Sequence, residues 1–339
     1  MTATSAMSSS RVSDTAGLND LFTHLLQYAI FAPSEHNSQP WLFRICDGSL
    51  ELIADRTRGL PVVDPHDRAM TISCGAALDH LILAARNIGQ EVSVDLCPDP
   101  SNDDLLARVR LDGYAVPSSA EEAMFAAIPE RRTTRARFLP KALPEDVSDQ
   151  CMEIAETYGV ELTLIEDSAR RGDIARLITR ADRMQLSSLR FRRELASWVH
   201  ARRDTSRDGM SRQGLGMAEV MSPRGSLVVR TFDAGDGVAA ATKEKICEGS
   251  PTLAVVSTPT DVVMDWLTTG RALSRLLLTL TAAGATASFL NPPLEIRELR
   301  PRLRNVLHCR GVPQLLMRFG YGPKVEPTMR RELSEFLIP

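Results

Sequence analysis

The chain has 339 residues, of which 43% are hydrophobic and 24% charged, and its formal net charge is −3. This composition is typical of a globular protein of about two domains and excludes collagen-like or low-complexity chains. The small net charge excludes a general attraction to nucleic acid or to an anionic membrane. The six cysteines contain no C-x-x-C pair and the histidines lack metal-ligand spacing, so we expect reduced cysteines, no metal and a cytoplasmic protein.

The first part of the chain alternates between apolar residues at helical spacing and short strand-like runs. In chain order it predicts a disordered tail at 1–17, a helix at 18–32, strands at 41–45 and 50–54, a helix at 73–87, strands at 92–96 and 106–111, and a helix at 120–128. The helix at 73–87 is apolar almost all round, which indicates a central position in the molecule.

The second part predicts a similar mixture of elements around one long irregular segment. In chain order these are a helix at 144–158, a strand at 160–165, a helix at 169–200, a strand at 252–257 and a helix at 268–283. Residues 201–250 lose periodicity. Such a long irregular stretch inside a compact protein is typical of a functional loop, a lid or a disordered connection.

The two apolar helices contain an internal repeat. Residues 75–89 align without gaps on residues 270–284, an offset of 195, and share the first and last glycine, an alanine and leucines. The repeat predicts a fused dimer whose central helices pack across a pseudo-two-fold axis. The alternative is two unrelated apolar helices that both end at a glycine.

A stiff polar loop follows the first helix. Residues 32–41 read A-P-S-E-H-N-S-Q-P-W, and the two prolines restrict the backbone. Ser34, Asn37 and Gln39 offer hydrogen-bond donors and acceptors in fixed positions, which could read the edge of a planar cofactor. A well-capped turn explains the same residues equally well.

Three arginines within five residues form the second candidate binding segment. Arg131, Arg132 and Arg135 repel one another unless an anion joins them, and Thr133 adds a hydroxyl donor. Planar guanidinium groups suit a phosphate. The alternative is a solvated basic turn.

A third candidate segment lies towards the end of the chain. A loop contains Asn291 and Pro292, and Arg318 precedes F-G-Y-G. The glycines would allow a ligand to approach the backbone closely, and Arg318 could reach the same anion. An ordinary loop followed by an edge strand is the alternative.

Together these motifs resemble the FMN contacts of the nitroreductase family. In common homodimeric members the R-R-S-x-R motif comes first, whereas here A-P-S-E-H-N-S-Q-P-W precedes R-R-T-T-R by about a hundred residues. That order is similar to the fused twin nitroreductases of the Acg-like, dormancy-associated type, over about residues 18–338. The resemblance implies an α+β sandwich with the nitroreductase-like fold. It also implies two fused repeats, 18–128 (truncated) and 129–339, that form a pseudo-dimer.

The resemblance assigns cofactor contacts as well. It implies that the arginines hold the FMN phosphate and polarise the pyrimidine end of the flavin, and that the polar loop comes from the other repeat. The expected contacts are Pro33, Ser34, Asn37, Arg131, Arg132, Thr133, Arg135, Asn291, Pro292 and Arg318. Glu35 stands where many relatives have serine. Because each half lacks the motif that the other carries, we expect one FMN per chain, between the repeats.

The activity implied by the resemblance is NAD(P)H-dependent oxidoreduction. NADH or NADPH would give hydride to flavin N5, and a small-molecule acceptor, a nitroaromatic or a quinone, would take electrons in a second half-reaction. No protein group is expected to be catalytic. Two alternatives stay open: a flavin-binding or flavin-sequestering protein with 201–250 as its lid, and a dehydrogenase for one metabolite. The chain is expected to be a monomeric pseudo-dimer or a homodimer, without nucleic-acid or membrane partners.

Overall fold

The computed structural model describes residues 6–200, 206–211, 246 and 249–339. Its helices are α1 (Ala6–Ala29), α2 (Arg68–Asn87), α3 (Ser119–Ala127), α4 (Glu145–Thr157), α5 (Ser168–Ser187), α6 (Leu189–Ser197), α7 (Val263–Ala282), α8 (Pro292–Glu295) and α9 (Arg300–Leu307). Its strands are β1 (Trp41–Cys46), β2 (Ser49–Ala54), β3 (Gln90–Leu96), β4 (Leu105–Tyr114), β5 (Glu161–Ile165), β6 (Val199–His200), β7 (Met210–Ser211), β8 (Thr252–Thr258), β9 (Thr286–Phe289), β10 (Val312–Gly320) and β11 (Leu337–Ile338). The chain is therefore α+β, as predicted.

Two separate sheets carry the two central helices. The first sheet has the strand order β11-β1-β2-β4-β3 and packs on α2, and the second has the order β5-β8-β10-β9 and packs on α7. All these strand pairs are antiparallel except β1 with β11. The helices α2 and α7 lie against each other, so a helical layer separates the sheets.

Strand β8 contains an unbroken apolar run at residues 253–256. All seven of its residues are buried. Ala254 and Val256 pack with α4 and α7, while Leu253 and Val255 pack with α5 and α9 on the opposite face. A strand covered on both faces has no polar face, and this explains its sequence.

The central helices cross where two glycines meet. A Cβ atom added to Gly270 would lie 2.0 Å from the carbonyl oxygen of Ile72, and one added to Gly75 would lie 2.3 Å from that of Leu267. Neither position can hold a side chain at this separation. These are the first glycines of the two aligned segments, so the sequence repeat coincides with the point of closest contact between the helices.

A buried ionic group ties the same helices together. Asp79 of α2 is fully buried and accepts a hydrogen bond from Arg275 Nε of α7 at 2.9 Å, and another from the Tyr158 hydroxyl at 2.7 Å. Burial, followed by the charge of Asp79, raises the pKa of Tyr158. The carboxylate thus has a charged and a neutral donor, which offset its loss of water.

Several element boundaries differ from those predicted. Helix α1 begins at Ala6 inside the expected tail, in a stretch of Ser and Thr without the apolar spacing on which the prediction depended. The helix expected over 169–200 is divided at Ser188, whose ψ of 120° leaves the helical region and whose hydroxyl caps α6 by accepting from Phe191 N. Of the expected lid at 201–250, residues 201–205, 212–245 and 247–248 lie outside the described part of the chain.

The end of the chain crosses the predicted boundary between the repeats. After β10 it leaves the second sheet and runs through residues 321–336, which we call the C-terminal arm. It then adds β11 to the first sheet, with Phe43 opposite Leu337. No helix of the described residues is long and apolar enough to cross a membrane.

Candidate functional site

A cavity of about 540 Å³ lies where the predicted repeats meet. We call it the junction cavity. Its wall combines the loop after α1, the start of α2, residues 131–136, the C-terminal arm, and Gly209 and Met210. Chain segments far apart in sequence therefore converge on one space, whose volume is in the range of small-molecule and cofactor sites.

The loop after α1 has an unusual backbone. His36, Asn37 and Gln39 have φ values of 52°, 56° and 52°, in the left-handed region that residues other than glycine seldom occupy. The Ser34 hydroxyl accepts a hydrogen bond from Gln39 N at 2.9 Å. Such strain persists only where surrounding contacts hold it, and it is common at binding sites.

Asn37 and Gln39 supply those contacts. The Asn37 amide nitrogen donates to the carbonyl oxygens of Gly209 at 3.1 Å and Met329 at 3.2 Å. Gln39 is fully buried and donates to the carbonyl of Arg207 at 2.9 Å, while its side-chain oxygen accepts from Arg331 N at the same distance. The loop is thus joined to the 206–211 segment and to the C-terminal arm.

Arg131 is the residue of the arginine segment whose surroundings most clearly indicate an anion-binding site. It is only 6% exposed, lines the junction cavity, and has no hydrogen-bond partner for Nε within the described structure. Its Nη1 lies 3.5 Å from the Thr133 hydroxyl. Burial, and then the charge of Arg132, lower the pKa of Arg131 to about 10. No carboxylate in the described part of the chain pairs with Arg131, and a buried cation in such surroundings is the arrangement expected where an anion binds.

The arginine segment is fixed to the edge of the second sheet. Thr133 forms a parallel bridge with Ala287 of β9, and the Thr286 hydroxyl donates to the carbonyl of Arg132 at 3.2 Å. Arg132 itself folds back, with Nη1 donating to the carbonyl of Pro129 at 2.6 Å. These contacts hold the segment in place beside the cavity.

Eight of the ten predicted contact residues line the junction cavity. They are Pro33, Ser34, Asn37, Arg131, Arg132, Thr133, Arg135 and Asn291. Asn291 also contacts the second sheet, because its Oδ1 accepts a hydrogen bond from Leu316 N of β10 at 3.0 Å. Pro292 is not among the residues that form the wall; it begins the short helix α8.

Arg318 is also absent from the residues that line the cavity, in contrast to the expectation of a phosphate contact. It is only 2% exposed, its Nη2 donates to the carbonyl of Ala136 at 2.6 Å, and its guanidinium covers the Phe138 ring at 4.1 Å. Burial, and then the charge of Arg135, lower the pKa of Arg318 to about 10. Its donors serve the backbone that follows the arginine segment, so it positions that segment from behind.

Arg330 lines the cavity and did not emerge from the sequence. It donates to the carbonyls of Ile30 at 2.8 Å and Phe31 at 3.1 Å, at the end of α1, and to Asn37 Oδ1 at 3.0 Å. Burial, and then the charges of Arg131 and Arg132, lower the pKa of Arg330 to about 9. The only sequence signal was an adjacent arginine pair, 330–331, and such pairs also occur at positions outside the cavity wall.

Further charged residues lie in the wall. Glu35, His36, Arg68 and Lys324 all line the cavity. Arg68 is buried, and its Nη1 donates to the carbonyl of Gln314 at 2.5 Å. Positive charges outnumber negative ones in this wall, so the cavity favours an anionic ligand.

Known proteins resemble the chain over most of its length. It is 32% identical over 327 residues to the Mycobacterium tuberculosis H37Rv protein named "Putative NAD(P)H nitroreductase Rv3131", covering 92% of this chain and 89% of that one. It is 28% identical over 331 residues to "Putative NAD(P)H nitroreductase acg" of the same strain, covering 95% and 96%. No family model matches the chain.

Solved structures give a weaker likeness. One is the FMN-dependent nitroreductase NfnB from Mycobacterium smegmatis in complex with NADPH, with 21% identity and a TM-score of 0.41 over 63% of this chain and 96% of that one. The assignment rests instead on the sequence relatives, whose similarity covers more than nine-tenths of the chain. On that basis the chain belongs to the nitroreductase family.

Proposed function

We propose that the chain binds one FMN in the junction cavity and uses it for NAD(P)H-dependent reduction of a small molecule. The observation that carries the proposal is Arg131, a buried guanidinium that pairs with no carboxylate among the described residues, in a wall that Arg132, Arg135 and Arg330 also line. A phosphate would supply the missing anion and several acceptors at once. The names of the relatives support NAD(P)H as the reductant.

The rest of the wall fits a planar ring. Ile72, Leu273, Phe289 and Leu315 offer apolar surface, and Ser34 and Thr133 offer hydroxyl groups. Apolar walls with a few placed polar groups are typical of cofactor sites. The basic end would hold the phosphate, and the apolar surfaces would hold the ring system.

The chemistry that FMN would supply when bound is hydride acceptance at N5 and transfer of electrons to an acceptor. The residues of the chain bind FMN, orient it and enclose it. Arg131 and Arg132 fix the anionic end, while the guanidinium of Arg135 adds positive charge where negative charge develops on reduction. No side chain has to form a covalent bond. We propose a nitroaromatic or a quinone as the acceptor, in a ping-pong sequence, and the cytoplasm as the place of action.

We also propose that the chain is a fused pseudo-dimer of two repeats. The contact of Gly75 with Gly270 at the helix crossing supports this, as does the return of β11 to the first sheet. One half contributes the loop at Pro33 to Asn37, and the other contributes the arginines at 131–135. A single FMN site per chain follows from that division.

A second function, flavin binding without turnover, is favoured by one observation. Gly209 and Met210 line the cavity, and their segment is held to the loop after α1 by Asn37 and Gln39. A segment fixed there would keep nicotinamide away from the flavin. Sequestration is therefore the alternative to reduction.

Anaerobic reduction separates the two functions. The FMN-loaded protein is mixed with NADH or NADPH without oxygen, and flavin absorbance is followed. If the protein is a reductase, the flavin absorbance should fall within the time of mixing and of one turnover. A bound flavin that dithionite bleaches but neither nicotinamide bleaches would establish sequestration instead.

A further inference from the structure

The carboxylate of Glu35 lies in the wall of a predominantly basic cavity. Its side chain is 24% exposed, and Oε1 lies 3.0 Å from Nδ1 of His36. Arg68 and Arg135 line the same cavity. The strained loop holds Glu35 in this wall, because the left-handed backbone at His36 and Asn37 turns the chain directly after it.

Glu35 is ionised in this setting. Although burial alone raises the pKa of a carboxyl, the hydrogen bond from His36 and the charges of Arg135 and Arg68 lower the pKa of Glu35 below its usual value. In turn, burial lowers the pKa of Arg135 and the charge of Glu35 raises it. Two opposite charges thus act on each other across one cavity wall, where Glu35 is less exposed to water than a surface carboxylate.

We propose that Glu35 is a counter-charge to Arg135 and sets the balance between the oxidised and reduced forms of bound FMN. This inference rests on the proposed function. Reduction of FMN takes up two electrons and one proton and leaves one negative charge on the ring. A fixed negative charge in the same cavity opposes that change, and a fixed positive charge favours it.

The sign of this effect is independent of how the ring is oriented. Coulomb energy depends on the distance between charges, and Glu35 lies on the cavity wall in every case. Glu326 provides the comparison, since it lines the same cavity from the C-terminal arm but is exposed to water. Water screens an exposed carboxylate, so Glu326 should matter much less.

The test is the midpoint potential of the FMN-loaded protein, measured by equilibration with a reference dye. In a Glu295→Gln background, where the neighbouring carboxyl cannot ionise in place of Glu35, Glu35→Gln should raise the equilibrium constant for reduction about tenfold, which for a two-electron couple is about 30 mV. Glu35→Asp keeps the charge and should stay within about threefold of the wild type. Arg135→Gln should shift the potential the other way, and Glu326→Gln should change the constant less than about threefold.

Glu35→Ser is a second charge-free variant and should behave like Glu35→Gln. Because a counter-charge hinders an anionic ligand, both should hold FMN at least as tightly as the wild type. A folded charge-free variant that keeps the wild-type potential, or loses FMN, overturns the inference. If neither Glu35→Gln nor Glu35→Ser folds, Arg135→Gln decides. A midpoint potential in Arg135→Gln that is not lower than that of the wild type overturns the inference. Wild-type protein that binds no FMN contradicts the proposed function instead.

Discussion

At the scale of single residues, the junction cavity is lined by guanidinium groups, and those of Arg131, Arg132 and Arg330 form no ion pair with the residues that the structure describes. Arg131 is buried beside Arg132, and Arg330 faces both from the C-terminal arm. Bringing these guanidinium groups together disfavours folding, because each loses water and repels the others. The arrangement becomes favourable once an anion joins them, so ligand binding and stability are opposed at these positions.

Arg131→Met tests whether Arg131 favours ligand binding and lowers stability. It removes a buried charge and keeps an apolar side chain, so the free energy of unfolding of the FMN-free protein should rise by about 1–3 kcal/mol. FMN affinity should fall about tenfold to a hundredfold, because charge-assisted hydrogen bonds of about 1.5–3 kcal/mol are lost. Urea unfolding and FMN titration measure the two effects.

Arg170→Gln, on the solvent-exposed start of α5, serves as the control and should change neither quantity. A variant that lowers the stability of the FMN-free protein would mean that Arg131 has a protein counter-charge after all. An unchanged FMN affinity would remove Arg131 from the binding site.

Glu295 makes stability depend on pH. Burial, and then repulsion by Glu35, raise its pKa from 4.5 to about 8; Asp64 adds repulsion, while Arg68 and Gln185 oppose the shift. The folded state therefore holds a proton that the unfolded state releases. The resulting stability is complete below pH 4.5 and is lost as the pH rises through about 8.

Glu295→Gln should remove this dependence. At pH 9 the variant should be more stable than the wild type by about 2 kcal/mol, less than the full shift implies because the side chain is only half-buried. At pH 4.5 the difference should nearly vanish. Urea unfolding of both proteins at the two pH values measures it, and an equal difference at both would show that Glu295 titrates normally.

The sequence identified some of these residues and missed others for a physical reason. Arg131, Arg132 and Arg135 stood out as three cations in five residues, and the resemblance to the nitroreductase family assigned them to a phosphate. Arg330 was missed because its partners, the carbonyls at the end of α1, are 298 to 300 residues away in the chain. Arg318 was expected at the phosphate, because sequence does not reveal that its Nη2 donates to the carbonyl of Ala136 and its Nη1 to that of Gly249.

At the scale of elements, the crossing of α2 and α7 brings the helices of the two sheets into close contact. The glycine positions were visible in the sequence as an aligned repeat, and their contact in the structure explains why both lack side chains. Helix boundaries were less predictable. Ser188 divides a long periodic stretch through a cap, and neither apolar spacing nor composition distinguishes a capping serine from an exposed one.

Gly270→Ala tests the crossing. The new methyl would clash with backbone atoms of α2, which cannot rotate away, so the helices must separate. We expect a loss of about 3 kcal/mol in the free energy of unfolding. Thermal and urea unfolding of the variant measure this loss.

Gly172→Ala is the matched control. Gly172 lies inside α5, and an added Cβ would meet only the end of the Arg176 side chain, at 4.0 Å. It should stabilise the protein by about 0.5–1 kcal/mol through helix propensity. A Gly270→Ala protein as stable as Gly172→Ala would contradict the close crossing.

At the scale of the whole molecule, the junction cavity exists only because distant parts of the chain converge. The α+β class and the two central helices were predictable from periodicity. The path of the C-terminal arm was not, because β11 has two residues and no pattern of its own. That arm joins the sheets and lines the cavity on its way, so it belongs structurally to both predicted repeats.

The most direct measurement of the central claim is a calorimetric titration of the FMN-free, full-length protein with FMN. We predict one equivalent of FMN per chain. In the double variant Arg131→Gln, Arg132→Gln, affinity should fall at least about a hundredfold, as expected for two lost charge-assisted contacts. Two equivalents per chain, or one bound equally tightly by the double variant, would contradict a single site between the two halves.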